Sequence, residues 1–103
     1  MILIDEETGL YFNVTEYIIA ISFEDRVDAH GRRIVVKLIF KSPNLVDATM
    51  DIGIYPAFDK DKKNILTKYL IKQIGVDDEY IEIKTLRSIA NRIIYNEDKQ
   101  GYS

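Results

Sequence analysis

Hydrophobic and polar residues alternate with a period of two through most of the first half of the chain, which is the pattern of half-buried strands. The alternation is clearest over residues 16–24 and 33–41, where every second residue is large and apolar. These two segments predict a hairpin, and residues 25–32 between them predict a loop that Gly31 closes with a positive φ. Residues 1–14 alternate around a polar turn and predict a shorter hairpin.

A further strand is predicted over residues 46–55, where the alternation places Ile52 and Ile54 on one face and Tyr55 on the other. Gly53 interrupts this pattern and indicates either a bulge or the close approach of another part of the chain. The strand is expected to end at Tyr55, because the proline that follows cannot donate to the ladder of hydrogen bonds.

The period of the apolar residues then changes to that of a helix. Large apolar residues recur at helical spacing and form one stripe: Ile65, Leu66, Tyr69 and Leu70. The stripe predicts a helix over residues 61–74 that packs this face on the core. Asp59 or Asp61 is expected to cap its start, and Gly75 is expected to follow its end as the C′ residue. Ile71 falls outside the stripe and is expected to be exposed.

The last part of the chain fits two interpretations. Residues 79–83 alternate as a strand does, whereas the apolar spacing becomes helical from Thr85 onward. We favour a strand followed by a helix, and the alternative is a single helix over residues 78–95. Residues 97–103 are polar and are expected to form a frayed tail.

These elements predict one α+β domain over residues 1–103. Because strands come first and short loops join them, the pattern favours an antiparallel β-meander of four to five strands with one or two C-terminal helices packed on one face. The opposite face of the sheet carries three apolar residues: Ile18, Val35 and Ile39. The sequence offers no further layer to cover this strip, which makes it a candidate contact surface.

Composition excludes several classes of function. The chain has 103 residues, a net charge of −3, no Cys and one His. Thiolate metal sites and cysteine nucleophiles are therefore excluded. No apolar run reaches the roughly 18 residues of a membrane span, and no signal peptide follows Met1, so we expect a soluble, cytoplasmic protein.

Motifs that carry chemistry are also missing from the sequence. No phosphate-binding glycine loop or serine nucleophile motif occurs. His30 is interpreted as a turn residue rather than a base or metal ligand, residues 59–64 as a helix cap rather than a calcium loop, and residues 77–79 as a solvated turn. We therefore expect no enzyme activity, no catalytic residue, no metal and no cofactor.

The distribution of charge adds two candidate surfaces. Residues 1–30 carry a net charge of −6, whereas residues 31–75 carry +5. Acidic side chains near the central hairpin form one candidate, a carboxylate surface that imitates a phosphate backbone and binds a basic partner protein: Glu24, Asp25 and Asp28. Basic side chains on the helical segments form the other, a face for nucleic acid: Lys68, Lys72, Lys84 and Arg92.

The sequence thus favours a non-enzymatic small protein-binding module. A regulator or inhibitor from a phage or mobile element would fit the size of the chain. Its binding residues would be the apolar strip or the acidic residues, and its partner would be another protein or a second copy. One alternative is a nucleic-acid-binding protein that uses the basic helix face, although a net negative charge is unusual for that class. A homo-oligomeric structural protein is the other alternative.

Overall fold

The computed structural model describes residues 2–13, 18–41, 46–76 and 80–95. These residues form eight elements in the order β1 (Ile2–Asp5), β2 (Leu10–Asn13), β3 (Ile18–Asp28), β4 (Gly31–Lys41), β5 (Asp47–Pro56), α1 (Lys60–Val76), β6 (Tyr80–Glu82) and α2 (Ile83–Tyr95). The predicted α+β class is confirmed, as is the choice of a strand followed by a helix near the C-terminus. Within the described ranges, no helix is long and apolar enough to cross a membrane. The predicted tail, residues 97–103, lies outside the described residues.

The strands form two sheets. β3, β4 and β5 make an antiparallel meander of three strands, with β4 in the centre. In the second sheet, β1 pairs with β2 in antiparallel and with β6 in parallel orientation. The predicted meander of four to five strands is therefore too long. The N-terminal hairpin instead joins a strand from the other end of the chain, a long-range pairing that local alternation does not reveal.

The hairpin of β3 and β4 has a tight turn instead of the predicted loop over residues 25–32. Asp28 pairs with Gly31, which leaves Ala29 and His30 as the turn. Gly31 has a φ of 100°, as predicted, and the backbone N–H of His30 donates to Asp28 Oδ1 at 2.8 Å. The polar residues on either side of the turn remain in the ladder, where Asp25 faces Arg32 and Asp28 faces Arg33 across the strands.

A β-bulge changes which residues of β5 face the core. In the pairing with β4, Ile52 is the extra residue between Asp51 and Gly53, so the bulge predicted near Gly53 is confirmed. Ile52 and Tyr55 are buried, whereas Ile54 is exposed. The prediction that Ile54 shares the face of Ile52 is therefore wrong, because the extra residue reverses the alternation beyond it.

Tyr55 packs back over its own strand. A Cβ atom at Gly53 would come within 2.6 Å of Tyr55 Oη, so this position accommodates only a hydrogen. The ring of Tyr95, at the end of α2, lies with its centroid 6.0 Å from that of Tyr55. Burial raises the pKa of Tyr55 to about 12.

α1 and α2 run antiparallel and cover the inner face of the three-stranded sheet. Lys62, near the start of α1, donates from Nζ to the carbonyl oxygen of Ile94, near the end of α2, at 3.3 Å. Large side chains from both layers fill the core between the helices and the sheet, among them Ile34, Leu38, Phe40, Ile52, Leu66, Leu70 and Leu86. The helix pair therefore has one face on the sheet and the other toward solvent.

α1 starts where the sequence predicted, but it ends later than predicted. The backbone N–H of Lys62 donates to Asp59 Oδ1 at 2.9 Å, which makes Asp59 the N-cap. The helix continues through Gly75 to Val76, and Gly75 has no positive φ. Gly75 therefore lies in the last turn of α1, and its prediction as the C′ residue is wrong because the helix extends one residue past it.

Candidate functional site

Among the described residues of the predicted apolar strip, neither Val35 nor Ile39 is fully open on the outer face of the three-stranded sheet. Val35, at its centre, has 0% of its surface exposed, and Ile39 is half-buried. The backbone of Ile18 pairs with Phe40 before a register shift in β3, so the alternation used to place Ile18 does not continue across it. The side chain of Ile18 lies outside the described part of the chain. The premise that Val35 is open to a partner is wrong.

Charged side chains of the same sheet flank Val35. Glu24 on β3 pairs directly with Val35, and Lys37 is the next residue on this face of β4. Lys37 Nζ lies 2.9 Å from Glu24 Oε1, and Arg26 Nη2 lies 2.9 Å from Glu24 Oε2. These bonds, led by the one from Lys37, hold the pKa of the Glu24 carboxyl below its usual value. The aliphatic stems of such side chains cover apolar surface while their charged ends remain in water.

The acidic candidates do not form a uniformly negative surface. Asp25 lies 3.9 Å from Arg32, and Asp28 lies 3.7 Å from Arg33. Together with the paired Glu24, each of the three carboxylates faces a base of its own hairpin. The hairpin therefore presents charges of both signs, unlike a phosphate backbone, and the imitation of nucleic acid loses its electrostatic basis.

One of the four basic candidates lines a groove between the helices, and two more lie one turn from residues of its wall. Arg92 of α2 lines the groove, and Lys68 and Lys72 are exposed on α1, three residues after Ile65 and Tyr69 respectively. Lys84 lies at the opposite end of α2 from Arg92 and pairs with Glu82 at 3.4 Å. The structure therefore separates Lys84 from the other three.

The groove itself lies between α1 and α2 on the side away from the sheet and encloses about 290 Å³. Its walls are mostly apolar and come from both helices: Ile65, Tyr69, Ile89, Arg92 and Ile93. Ile65 and Tyr69 are 41% and 45% exposed, which is high for large apolar side chains on a packed helix. This groove is an open concavity whose walls are mostly apolar.

The sequence assigned Ile65 and Tyr69 to the core, and the structure corrects that assignment. α1 buries Leu66 and Leu70 against the sheet, together with Lys62 one turn earlier. Ile65 and Tyr69 lie at the edge of this face and extend the apolar surface toward α2. The sequence contained one sign of this exposure. The apolar stripe of α1 is wider than the surface that a helix buries against one sheet. Ile71 is exposed, as predicted.

A second, shallower pocket lies near the turn of the β3–β4 hairpin. His30, Arg32, Arg33, Pro56 and Tyr95 line it. Because the two arginines face carboxylates of their own hairpin, the pocket has little net charge to attract an anion. Across the described ranges, no group of three or more His, Asp and Glu side chains is placed to hold a metal ion.

No protein-family model, curated protein or solved structure matches this chain. The function is therefore inferred from the surface of the chain itself.

Proposed function

We propose that this chain is a non-enzymatic protein-binding module and that the groove between α1 and α2 is its docking surface. The observation that supports the proposal is the exposure of Ile65 and Tyr69 beside Ile89 and Ile93. Apolar side chains that line a groove in water gain free energy when a partner covers them. Protein–protein interfaces are built around such apolar centres with polar rims.

The size and composition of the groove favour side chains of a partner over a small molecule. Its volume of about 290 Å³ is at the lower limit of small-molecule sites, which enclose about 300–1,000 Å³. Tyr69 and Arg92 belong to the residue types that contribute most to binding energy at interfaces.

The biological role we infer is that of a cytoplasmic regulator or inhibitor of the kind that phages and mobile elements encode.

The experiment compares capture of protein partners by groove variants and by a matched control. Tagged wild type, Ile65→Asp, Tyr69→Asp and Ile71→Asp are incubated with nuclease-treated lysate of the source cells, and bound proteins are quantified by mass spectrometry. Ile71 is the control because it is 43% exposed on the same helix but does not line the groove. We expect wild type and Ile71→Asp to recover the same protein, and the groove variants to recover at least tenfold less.

Circular dichroism confirms that each variant is folded before capture. A partner that all four proteins recover equally would contradict docking at the groove. Recovery that disappears with nuclease treatment would favour the nucleic-acid alternative. If only the chain itself is recovered, and only with an intact groove, the homo-oligomeric alternative is correct.

A further inference from the structure

We propose that the groove binds an acidic amphipathic helix of the partner protein. This inference rests on the proposed function, because it names the occupant of the same docking surface. Three features of the groove support it: the backbone chemistry of its walls, the spacing of its apolar residues and the charge of its rim.

The walls of the groove favour an occupant whose own backbone is already hydrogen-bonded. Both walls are helices, and their backbone N–H and C=O groups are used within α1 and α2. An extended peptide needs backbone partners of the kind a sheet edge supplies, and it would leave its polar groups unpaired here. A helix brings its own backbone bonds and contributes only side chains to the contact.

The apolar residues of the groove are spaced to receive a helix. Ile65 and Tyr69 are one turn apart on α1, and Ile89 and Ile93 are one turn apart on α2. Each pair spans about 6 Å along its helix axis, since four residues rise about 1.5 Å each. A helix laid along the groove would insert apolar residues at i and at i+3 or i+4, because one helical turn rises about the same distance.

The rim of the groove is positively charged although the whole chain has a net charge of −3. Lys68 is three residues after Ile65 and Lys72 three after Tyr69, so each lysine neighbours a groove residue on the helix surface. Arg92 supplies a third positive charge from the α2 wall. Within the described part of the chain, these three residues form no ion pair with a carboxylate.

The arrangement of the lysines indicates where the partner's carboxylates would lie. Lys68 and Lys72 are four residues apart on α1, a spacing at which like charges repel and destabilise a helix. Carboxylates on one flank of a docked helix would relieve this repulsion. Asp61 lies one turn before Ile65 and partly offsets the positive charge at that end of the groove.

The test uses two designed helical peptides that differ only in charge. Both carry the same leucines at i, i+3, i+4 and i+7, flanked by glutamates in one peptide and by lysines in the other. Fluorescence anisotropy measures the affinity of each peptide for the full chain. We expect the acidic peptide to bind at least tenfold more tightly, with an affinity that falls as salt rises. We expect Ile65→Asp to abolish binding of both peptides.

Charge-reversal variants show which residues select the peptide. Lys68→Glu combined with Lys72→Glu is expected to reverse the preference in favour of the basic peptide. Lys84→Glu is the matched control, because Lys84 is exposed on a helix but lies at the opposite end of α2 from Arg92. This control is expected to change the affinity less than twofold.

Each other outcome overturns the inference and is distinct from failure of the proposed function. Equal binding of the two peptides would contradict the role of charge and leave a helix-binding groove. If neither peptide binds, while Ile65→Asp still loses its partner from lysate, the occupant is a protein surface but not an acidic helix. Duplex DNA or RNA that binds through Lys68 and Lys72 independently of Ile65 would identify the occupant as nucleic acid. Self-association that Ile65→Asp abolishes would identify it as a second copy.

Discussion

Val35 is buried on the opposite face of β4 from Ile34 and Val36, which belong to the core. Its neighbours across the ladder are Glu24 and Ile54, and Lys37 follows on the same face. The binary pattern identified Val35 as apolar and outward-facing but could not show that it is buried, because burial depends on which side chains the register places beside it. The sequence therefore predicted the direction of this side chain and not its environment.

Val35→Asp should destabilise the fold strongly. A carboxylate at a position with 0% exposure is placed in a poorly hydrated site, and we expect the free energy of unfolding to fall by about 3 kcal/mol or more. Urea denaturation measures the change. Ile54→Asp is the control on the same face: its wild-type residue is 41% exposed, and we expect a loss within about 1 kcal/mol. Equal losses for the two variants would contradict the burial of Val35.

Tyr55 makes the free energy of unfolding depend on pH in the alkaline range. Burial raises its pKa from 10.0 to about 12 in the folded chain. Below pH 10 both states hold the phenolic proton, so this group adds no dependence on pH. Between pH 10 and 12 the unfolded chain loses the proton first, and stability falls with rising pH, by about 2 kcal/mol in total.

Tyr55→Phe isolates this effect. The hydroxyl is buried with no hydrogen-bond partner in the described structure, so we expect no loss of stability at pH 7. Denaturation at several pH values should show a flatter alkaline limb for the variant than for wild type. Parallel curves would mean that other groups cause the alkaline loss.

The bulge in β5 and the start of α1 show which features of an element a local sequence pattern can predict. Gly53 indicated the bulge because glycine is unusual inside a strand, and Asp59 indicated the helix start because it can accept from the first free N–H groups. The exchange of Ile54 and Tyr55 between faces could not be predicted. One extra residue reverses the alternation, and the sequence did not decide between a bulge and a close approach at Gly53. The pairing of β1 with β6 depends on contacts between the two ends of the chain.

Two glycine substitutions should have opposite effects. Gly53→Ala should destabilise the fold by about 1–3 kcal/mol, because the new Cβ would overlap the Tyr55 ring, with Oη at 2.6 Å. Gly75→Ala should stabilise it by about 0.5–1 kcal/mol, because Gly75 lies within α1 and nothing lies within 4 Å of the added methyl group. Thermal or urea denaturation measures both. Destabilisation by Gly75→Ala would show that α1 ends before this residue.

The contact between α1 and α2 depends partly on Lys62. This side chain is 8% exposed and donates to the carbonyl oxygen of Ile94 at 3.3 Å. Lys62→Met keeps the apolar stem but removes the donor and a positive charge near the end of α2, so we expect a loss of about 1–2 kcal/mol. Lys60→Met, at an exposed position, is the control and should change the unfolding midpoint little. Similar small changes in both variants would show that the bond contributes nothing.

The class of fold could be predicted from the sequence, but the position of the proposed docking groove could not. Periodicity located the strands and both helices, since each pattern reports the face that an element buries. The groove arises only when α1 and α2 lie side by side, so no single segment shows it. Ile65 and Tyr69 appeared as core residues, and Lys68 and Lys72 as part of a nucleic-acid face, until their packing placed them beside one another.

Site-specific photocrosslinking tests docking at the groove most directly. Tyr69→p-benzoylphenylalanine places a photoreactive group in the groove, and Ile71→p-benzoylphenylalanine places it on the same helix outside the groove. After irradiation with the captured partner, we predict an adduct from position 69 and none from position 71, attached to a helical, acidic segment of the partner protein. Equal adducts from both positions, or none from position 69 while the partner is still bound, would contradict docking at the groove.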